Sequence, residues 1–429
     1  MIGQDYKQRI EEIRRGEVPD GYTHTRVGVI PMDWQETRII DRFDRVTRKN
    51  DENNKNVLTI SAQQGLISQG DYYEKEIASE DKSTYYLLRK GDFAYNKSYS
   101  SGYPYGAIKR LEAFEKGIVS PLYICFAPKK ETDSDFYRFY FDSGLFNREI
   151  YRIAQEGARN HGLLNVATED FFGATLIDLP KDEQKKIAQI LDACDRVIEL
   201  KQKLVDELKK LKKACLAKMF PQEGETVPEI RFPGFTAPWE RCKLSTIADI
   251  VTGTTPPTKD IDNYGGDKLF ISPADIREDR YVANTTTTLT EKGYILGRKL
   301  RGGTSLFVSI GSSIGKVAQI KDFATTNQQI NAVVPHDVMA DDFVFTMLEN
   351  EADSIKKLTT MQAVPIINKA TFGAIEIKHP QKNEQRKIGD LFSILDSLIT
   401  FHQHELEEEQ KKKKALMQLL LTGIVRVRI

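Results

Sequence analysis

Long apolar runs are missing from these 429 residues. No stretch approaches the ~18 consecutive apolar residues of a membrane span, and the charged N-terminus does not resemble a secretion signal. The expectation is a cytoplasmic protein without a membrane partner. Cysteine is scarce: Cys125, Cys194, Cys215 and Cys242 lie far apart with no CxxC pair. Cys194 and Cys215 fall on a helix seam, where each is read as a small apolar side chain. Of the six histidines, His402 and His404 lie two apart. On a helix they point to different faces, a poor metal pair. Net charge is absent as well, with 62 basic and 62 acidic residues. Segment 22–178 holds 21 basic against 23 acidic residues, and 231–378 holds 17 against 17. Segment 180–221 leans basic, 11 against 7. Such balance argues against a free-standing nucleic-acid binder; any such surface is a local patch or is completed by another subunit.

Catalytic constellations are equally lacking. Gly311–Val317 (GSSIGKV) resembles a phosphate loop at first sight. It has one residue too few between its glycines, and Val317 stands where a metal-binding Ser or Thr belongs. A hairpin between two strands explains it better. Asp71 with Glu80, Asp81 and Lys82 is a loose carboxylate–lysine set of a kind that arises freely in charged loops. No glycine-rich cofactor loop is followed by an Asn/Asp-Pro-Pro-aromatic tetrapeptide, the mark of an adenine methyltransferase. The expectation is a chain with no catalytic residue, no metal and no cofactor of its own.

What is present begins with Glu183–Phe220, a stretch free of Pro and Gly. Ile190, Val197, Leu204 and Leu211 recur every seven residues, interleaved with Cys194, Lys201, Leu208 and Cys215. The spacing predicts a helix roughly 55–60 Å long with one thin apolar stripe, which needs a partner helix. Pro180 marks its start and Pro221 its end.

The partner is in the same chain. Glu384-Gln385-Arg386-Lys387-Ile388 repeats Glu183-Gln184-Lys185-Lys186-Ile187 at a distance of 201 residues. Asp396 repeats Asp195, and Lys413-Lys414-Ala415 repeats Lys212-Lys213-Ala214, at the same distance. Phe172-Gly173 recurs as Phe372-Gly373, and Trp34 as Trp239. So long a period is the duplication of a whole unit. Two units in one chain imitate a homodimer about a two-fold axis, which sets the long helices antiparallel. Lys7–Tyr22 reads like a shortened copy of the helix exit at Ala214–Glu229, so the repeat begins partway through a unit. On the second helix Ile388, Leu391, Leu395, Leu398 and Leu406 keep the stripe. Glu405, Glu407–Glu409 and Lys411–Lys414 interrupt it as a solvated face or a partner contact.

The expected fold is α+β: two mixed α/β domains in pseudo-two-fold arrangement, separated by two long antiparallel helices forming a coiled coil. Residues 1–22 form the permuted N-terminal helical segment and 23–178 the first domain. Residues 179–221 are the central helix, 222–378 a connector with the second domain, and 379–429 the C-terminal helix. In the first domain, strands are predicted at Val57–Ile60, Tyr85–Leu88, Phe93–Tyr95, Ala107–Lys109 and Leu122–Phe126, and a helix over Asp135–Arg152. In the second, strands are predicted at Leu269–Ile271, Ser305–Ile310, Lys316–Ile320 and Ile330–Val334, and a helix over Phe343–Leu358.

This ordered set resembles the specificity subunit of type I restriction–modification enzymes over nearly the whole chain. The resemblance rests on both EQxKI helix starts and on Thr252–Pro257, Ile271–Ile276, Gly311–Val317 and Asn327–Asn331. In the first domain Gly91–Lys97, Gly157–Gly162 and Asp170–Gly173 contribute. It implies two target recognition domains that each read half of an asymmetric bipartite site in double-stranded DNA, spaced by the helices. It also implies two methylation subunits and two restriction subunits as partners, which would carry S-adenosylmethionine, ATP and Mg. Candidate DNA contacts in the first domain are Asn96, Lys97, Ser98, Tyr99, Ser100, Ser101 and Tyr103, with Arg159, Asn160 and His161. In the second they are Ser309, Ser312, Ser313 and Lys316, with Thr359, Thr360 and Gln362. These side chains can donate to or bridge base edges, although half or more of such bonds go to the DNA backbone. Asn327–Gln329 is read as scaffold. The alternatives are a duplicated coiled-coil adaptor that binds no DNA, and the specificity part of a modification-only or fused restriction system.

Overall fold

Pro180 and Pro380 close two short strands, Thr175–Asp178 and Glu376–His379, and lead into two long helices, Lys181–Met219 and Lys382–Leu421. Proline suits that boundary because it lacks an N–H and its φ is already helical. The computed structural model describes residues 2–61, 64–72, 82–98, 103–154, 164–358 and 365–427, without the side chains of 2–5, 71 and 72. The chain divides into two compact units, Met1–Glu199 with Glu407–Ile429, and Leu200–Leu406.

Both units contain the same antiparallel four-stranded sheet. In the first the order is Phe43–Arg45, Ile124–Pro128, Phe93–Asn96, Ala107–Arg110. In the second it is Ala248–Thr252, Ile330–Pro335, Ser305–Val308, Val317–Gln319. A two-stranded pair leads into each long helix, Gln35–Arg38 with Thr175–Asp178 and Glu240–Lys243 with Glu376–His379. The architecture is α+β, two β-rich domains with long helices packed together. Each strand named from the sequence lies within a few residues of an observed one, apart from the longer Tyr264–Ile271, but the edge strands Phe43–Arg45 and Ala248–Thr252 and the pairs leading into the helices were not foreseen. The helix expected over Asp135–Arg152 is two, Ser134–Asp142 and Asn147–Ile153, broken at Gly144 with φ +78°. A left-handed glycine ends a helix at little cost. Its counterpart Asp341–Lys357 runs unbroken. The first core is aromatic: the ring of Phe43 meets Phe93, Phe126 and Tyr137 edge-on at 5.2–5.6 Å.

The long helices correct the phase of the predicted stripe. Cys194, Lys201, Leu208 and Cys215 are partly buried, as expected, but Val197, Leu204 and Leu211 are 42–50% exposed. The inward row lies one residue later, at Leu191, Ile198, Val205, Lys212 and Met219. Ile190-Leu191, Val197-Ile198 and Leu204-Val205 are adjacent apolar pairs, so both rows satisfy the seven-residue spacing and periodicity cannot choose between them. On the second helix Ile388, Leu395 and Leu406 are buried and Leu391 half-buried, while Leu398 turns outward.

Ion pairs fix the direction. Within Leu200–Leu406, Lys201 meets Glu405 at 3.2 Å and Lys212 meets Asp396 at 2.6 Å, so the helices there run antiparallel. In the other unit Asp195 pairs with Lys413. Each repeated aspartate thus holds the repeated lysine of the opposite helix, which accounts for both repeats.

The repeated EQxKI is an anchor. Glu183, Gln184 and Ile187 are buried, as are Glu384, Gln385 and Ile388. Glu183 accepts from Trp34 Nε1 at 3.0 Å and from Arg426 at 2.7 and 2.8 Å. Glu384 accepts from Arg231 at 2.7 and 2.8 Å. Gln184 and Gln385 both donate to the carbonyl five residues earlier, of Leu179 and Pro380, at 2.8 Å. A buried carboxylate needs such pairing. Arg231 follows the first long helix and Arg426 the second, so each helix start is bound by the chain leaving the other helix. The chain leaving the second helix thus supplies Arg426 as the counterpart of Arg231. The N-terminal segment braces this exit, with Arg9 donating to Ile424 O at 2.7 Å and Tyr22 to Gly423 O at 2.6 Å.

Candidate nucleic-acid interface

In each sheet one hairpin leads from an inner strand to the edge strand. In the first unit Asn96 pairs with Ala107, which leaves residues 97–106 as the connecting loop. Tyr95 Oη donates to Tyr105 O at 2.8 Å and ties the base of this loop. Burial pushes the Tyr95 phenol up, which keeps it a donor. Gly106, at φ +74°, has no room for a Cβ against Asn96 O and the Tyr95 ring. Asn96 Oδ1 accepts from Ser98 N at 3.0 Å, and Lys97 O accepts from Leu164 N at 3.0 Å. Asn96, Lys97, Ser98 and Tyr103 are partly exposed. Tyr99, Ser100, Ser101, Arg159, Asn160 and His161 lie outside the described residues, as do Glu80 and Asp81.

In the second unit the loop 309–316 joins Ser305–Val308 to Val317–Gln319. Ile314 N donates to Gly311 O and Lys316 N to Ser313 O, with Gly311 and Gly315 at φ +93° and +94°. This is the hairpin the sequence favoured over a phosphate loop. Ser312 is exposed, Ser313 half-buried, and Lys316 is exposed with its ammonium on Ile276 O at 3.1 Å. Ser309 is a correction. It is 2% exposed, its hydroxyl donates to Phe307 O at 3.3 Å, and its backbone bonds to Gln329 and Ile367. No base edge can reach it in this fold. Gly311 N donates to Pro365 O at 3.0 Å. Thr359, Thr360 and Gln362 lie outside the described residues.

The two loops are equivalent in construction. Each is bonded to the stretch that precedes a short helix, Thr168–Gly173 in one unit and Lys369–Gly373 in the other. Asn327 and Gln329 bond each other through side chains at 3.0 Å, as a scaffold turn would. Bordering the hairpins are residues the sequence reading passed over. The ring of Tyr105 meets that of Tyr151 edge-on at 6.2 Å, and the Lys356 chain runs past Gly315. Their only sequence signal was a basic or aromatic residue on the outer face of a helix. Among the described residues no His/Cys/Asp/Glu cluster is placed to hold a metal, and no helix is long and apolar enough to cross a membrane.

Comparison with known proteins agrees with this geometry. The Type I restriction modification DNA specificity domain matches residues 237–410. The chain is 26% identical over 333 residues to the type I restriction enzyme MjaVIII specificity subunit of Methanocaldococcus jannaschii, covering 73% of this chain and 76% of that one. It is 23% identical over 425 residues to the putative MjaX specificity subunit of the same organism, covering 95% and 97%. In fold it is similar to the crystal structure of a type I restriction–modification S subunit from M. genitalium. That match has a TM-score of 0.59 and 15% identity, and covers 90% of this chain and 96% of the other. The duplicated fold and the matches along the chain lead to one conclusion: the chain is similar to type I restriction–modification specificity subunits, over 73–95% of its length in sequence.

Proposed function

We propose that this chain reads an asymmetric bipartite sequence in double-stranded DNA, one half with each β-rich domain, within a complex of two methylation and two restriction subunits. Members of the family are the non-catalytic part of such complexes. S-adenosylmethionine, ATP and Mg would then reside on the partners. The observation that carries the reading is one hairpin frame built twice with different side chains. Asn96, Lys97, Ser98 and Tyr103 stand at one loop, Ser312, Ser313 and Lys316 at the other. Equal frames offering different donors suit two different half-sites. Partner docking is supported by apolar side chains left exposed on the long helices of one unit. These include Leu200, Leu204 and Leu211 on the first helix and Ile394, Leu398 and Phe401 on the second. Exposed apolar faces of that kind mark association surfaces.

The test is a band shift of the chain alone and with its methylation subunit. Binding to a duplex by the complex supports the reading; assembly without DNA binding supports the adaptor. Lys316→Ala should weaken binding without impairing assembly. If its ammonium meets a phosphate, affinity falls on all sequences and the salt slope drops by about one. Unchanged affinity and slope would place Lys316 outside the interface.

A further inference from the structure

We propose that the helix end bordering each hairpin is a second DNA-contact element, a shelf that holds phosphate and contributes affinity without sequence preference. The inference rests on the DNA-reading function above and assigns residues that function did not use. In the first unit the shelf is Asn147–Ile153, where Arg148 and Tyr151 are three residues apart and share one face. Both are exposed, Tyr151 at 66%. Tyr151 reaches the hairpin through its edge contact with Tyr105, so this face is continuous with the loop of Lys97 and Tyr103. Arg152, on the same helix, is committed to the buried Glu149 and to Arg26 O. Arg148 has no carboxylate partner among the described residues. A guanidinium beside an exposed phenol suits a phosphodiester, which takes a forked pair of N–H donors and an O–H.

The second unit repeats the construction independently. Its helix Asp341–Lys357 ends on Lys356 and Lys357, beside the second hairpin. The carbon chain of Lys356 lies 3.5 Å from the point that a Cβ on Gly315 would occupy, against the hairpin that carries Lys316. Each shelf borders the hairpin of its own unit and carries basic residues. A lysine ammonium is a point charge that any phosphate satisfies.

The experiment uses the full chain assembled with its methylation subunits. Two duplexes serve as probes, one with the methylated motif mapped in the host and one of scrambled sequence. Arg148→Ala, Tyr151→Ala and the double variant Lys356→Ala/Lys357→Ala are titrated from low to high salt, with Lys316→Ala as reference. Arg148→Ala should weaken binding to both duplexes about five- to tenfold near 0.1 M salt, and lower the salt slope by about one. The methylated motif should keep its sequence. A loss confined to the motif duplex would overturn the proposal, because it would make the shelf a base reader. Unchanged affinity and slope for the Arg148 and lysine variants, while Lys316→Ala weakens binding, would also overturn it and leave the DNA-reading function standing. A wild-type complex that binds neither duplex would refute that function itself.

Discussion

Lys212→Met is expected to destabilise the unit Leu200–Leu406 by about 3–5 kcal/mol, the range for removing one partner of a buried ion pair. Lys212 lies 2.6 Å from both Asp396 and Glu349, and the side chains of Lys212 and Asp396 are 14% and 9% exposed. Arg280, itself 2% exposed, adds bonds to Asp396 at 3.3 Å and to Asp342 at 2.6 Å. Without the lysine, the buried Asp396 keeps the Arg280 guanidinium, and the partly buried Glu349 loses its lysine partner. Burial pushes the Glu349 carboxyl up and Lys212 opposes it. The variant therefore raises that pKa further, so its deficit is largest near neutral pH and shrinks as falling pH protonates Glu349. The equivalent Lys413→Met should cost only about 1 kcal/mol or less, because Asp195 is 35% exposed and water replaces the lost partner. Urea unfolding of both variants at neutral and mildly acidic pH checks the contrast. Equal losses would mean that burial does not govern these clasps. Asp396→Asn in the Lys212→Met background should recover part of the stability.

Exchange of Thr23–Asp178 for the matching segment of a relative should change one half of the methylated motif and leave the other intact. The basis is separation of cores. The aromatic cluster around Phe43, Phe93 and Phe126 draws only on the first unit, and that around Phe220, Trp239 and Phe343 only on the second. The graft must keep Trp34, whose indole bonds Glu183, and Asp178, which accepts from Gln184 at 3.0 Å. Methylated-base sequencing of hosts carrying the parent and the exchanged chain reads the outcome. Loss of both halves in a folded, assembling protein would refute independent reading.

The duplication was legible because its landmarks are anchors. Glu183 and Glu384 recur because a buried carboxylate at a helix start demands an arginine, and Asp195 and Asp396 recur because each clasps a lysine. Such demands leave fixed residues at fixed spacing. The phase of the helix stripe was not legible, since Val197-Ile198 and Leu204-Val205 satisfy two registers and only the partner helix selects one. Ser309 looked like a loop donor by composition, yet strand pairing carries it inside. The source of the Glu183 partner was hidden too. Arg426 lies 243 residues away, and no local pattern joins them.

The most direct measurement is sequencing of methylated adenines in a host that expresses this chain with its methylation subunit. The expected result is one asymmetric motif of two short specific halves around an unread spacer, with Lys316→Ala altering at most the second-domain half. A continuous palindromic motif, or no new methylation from an assembled complex, would contradict it.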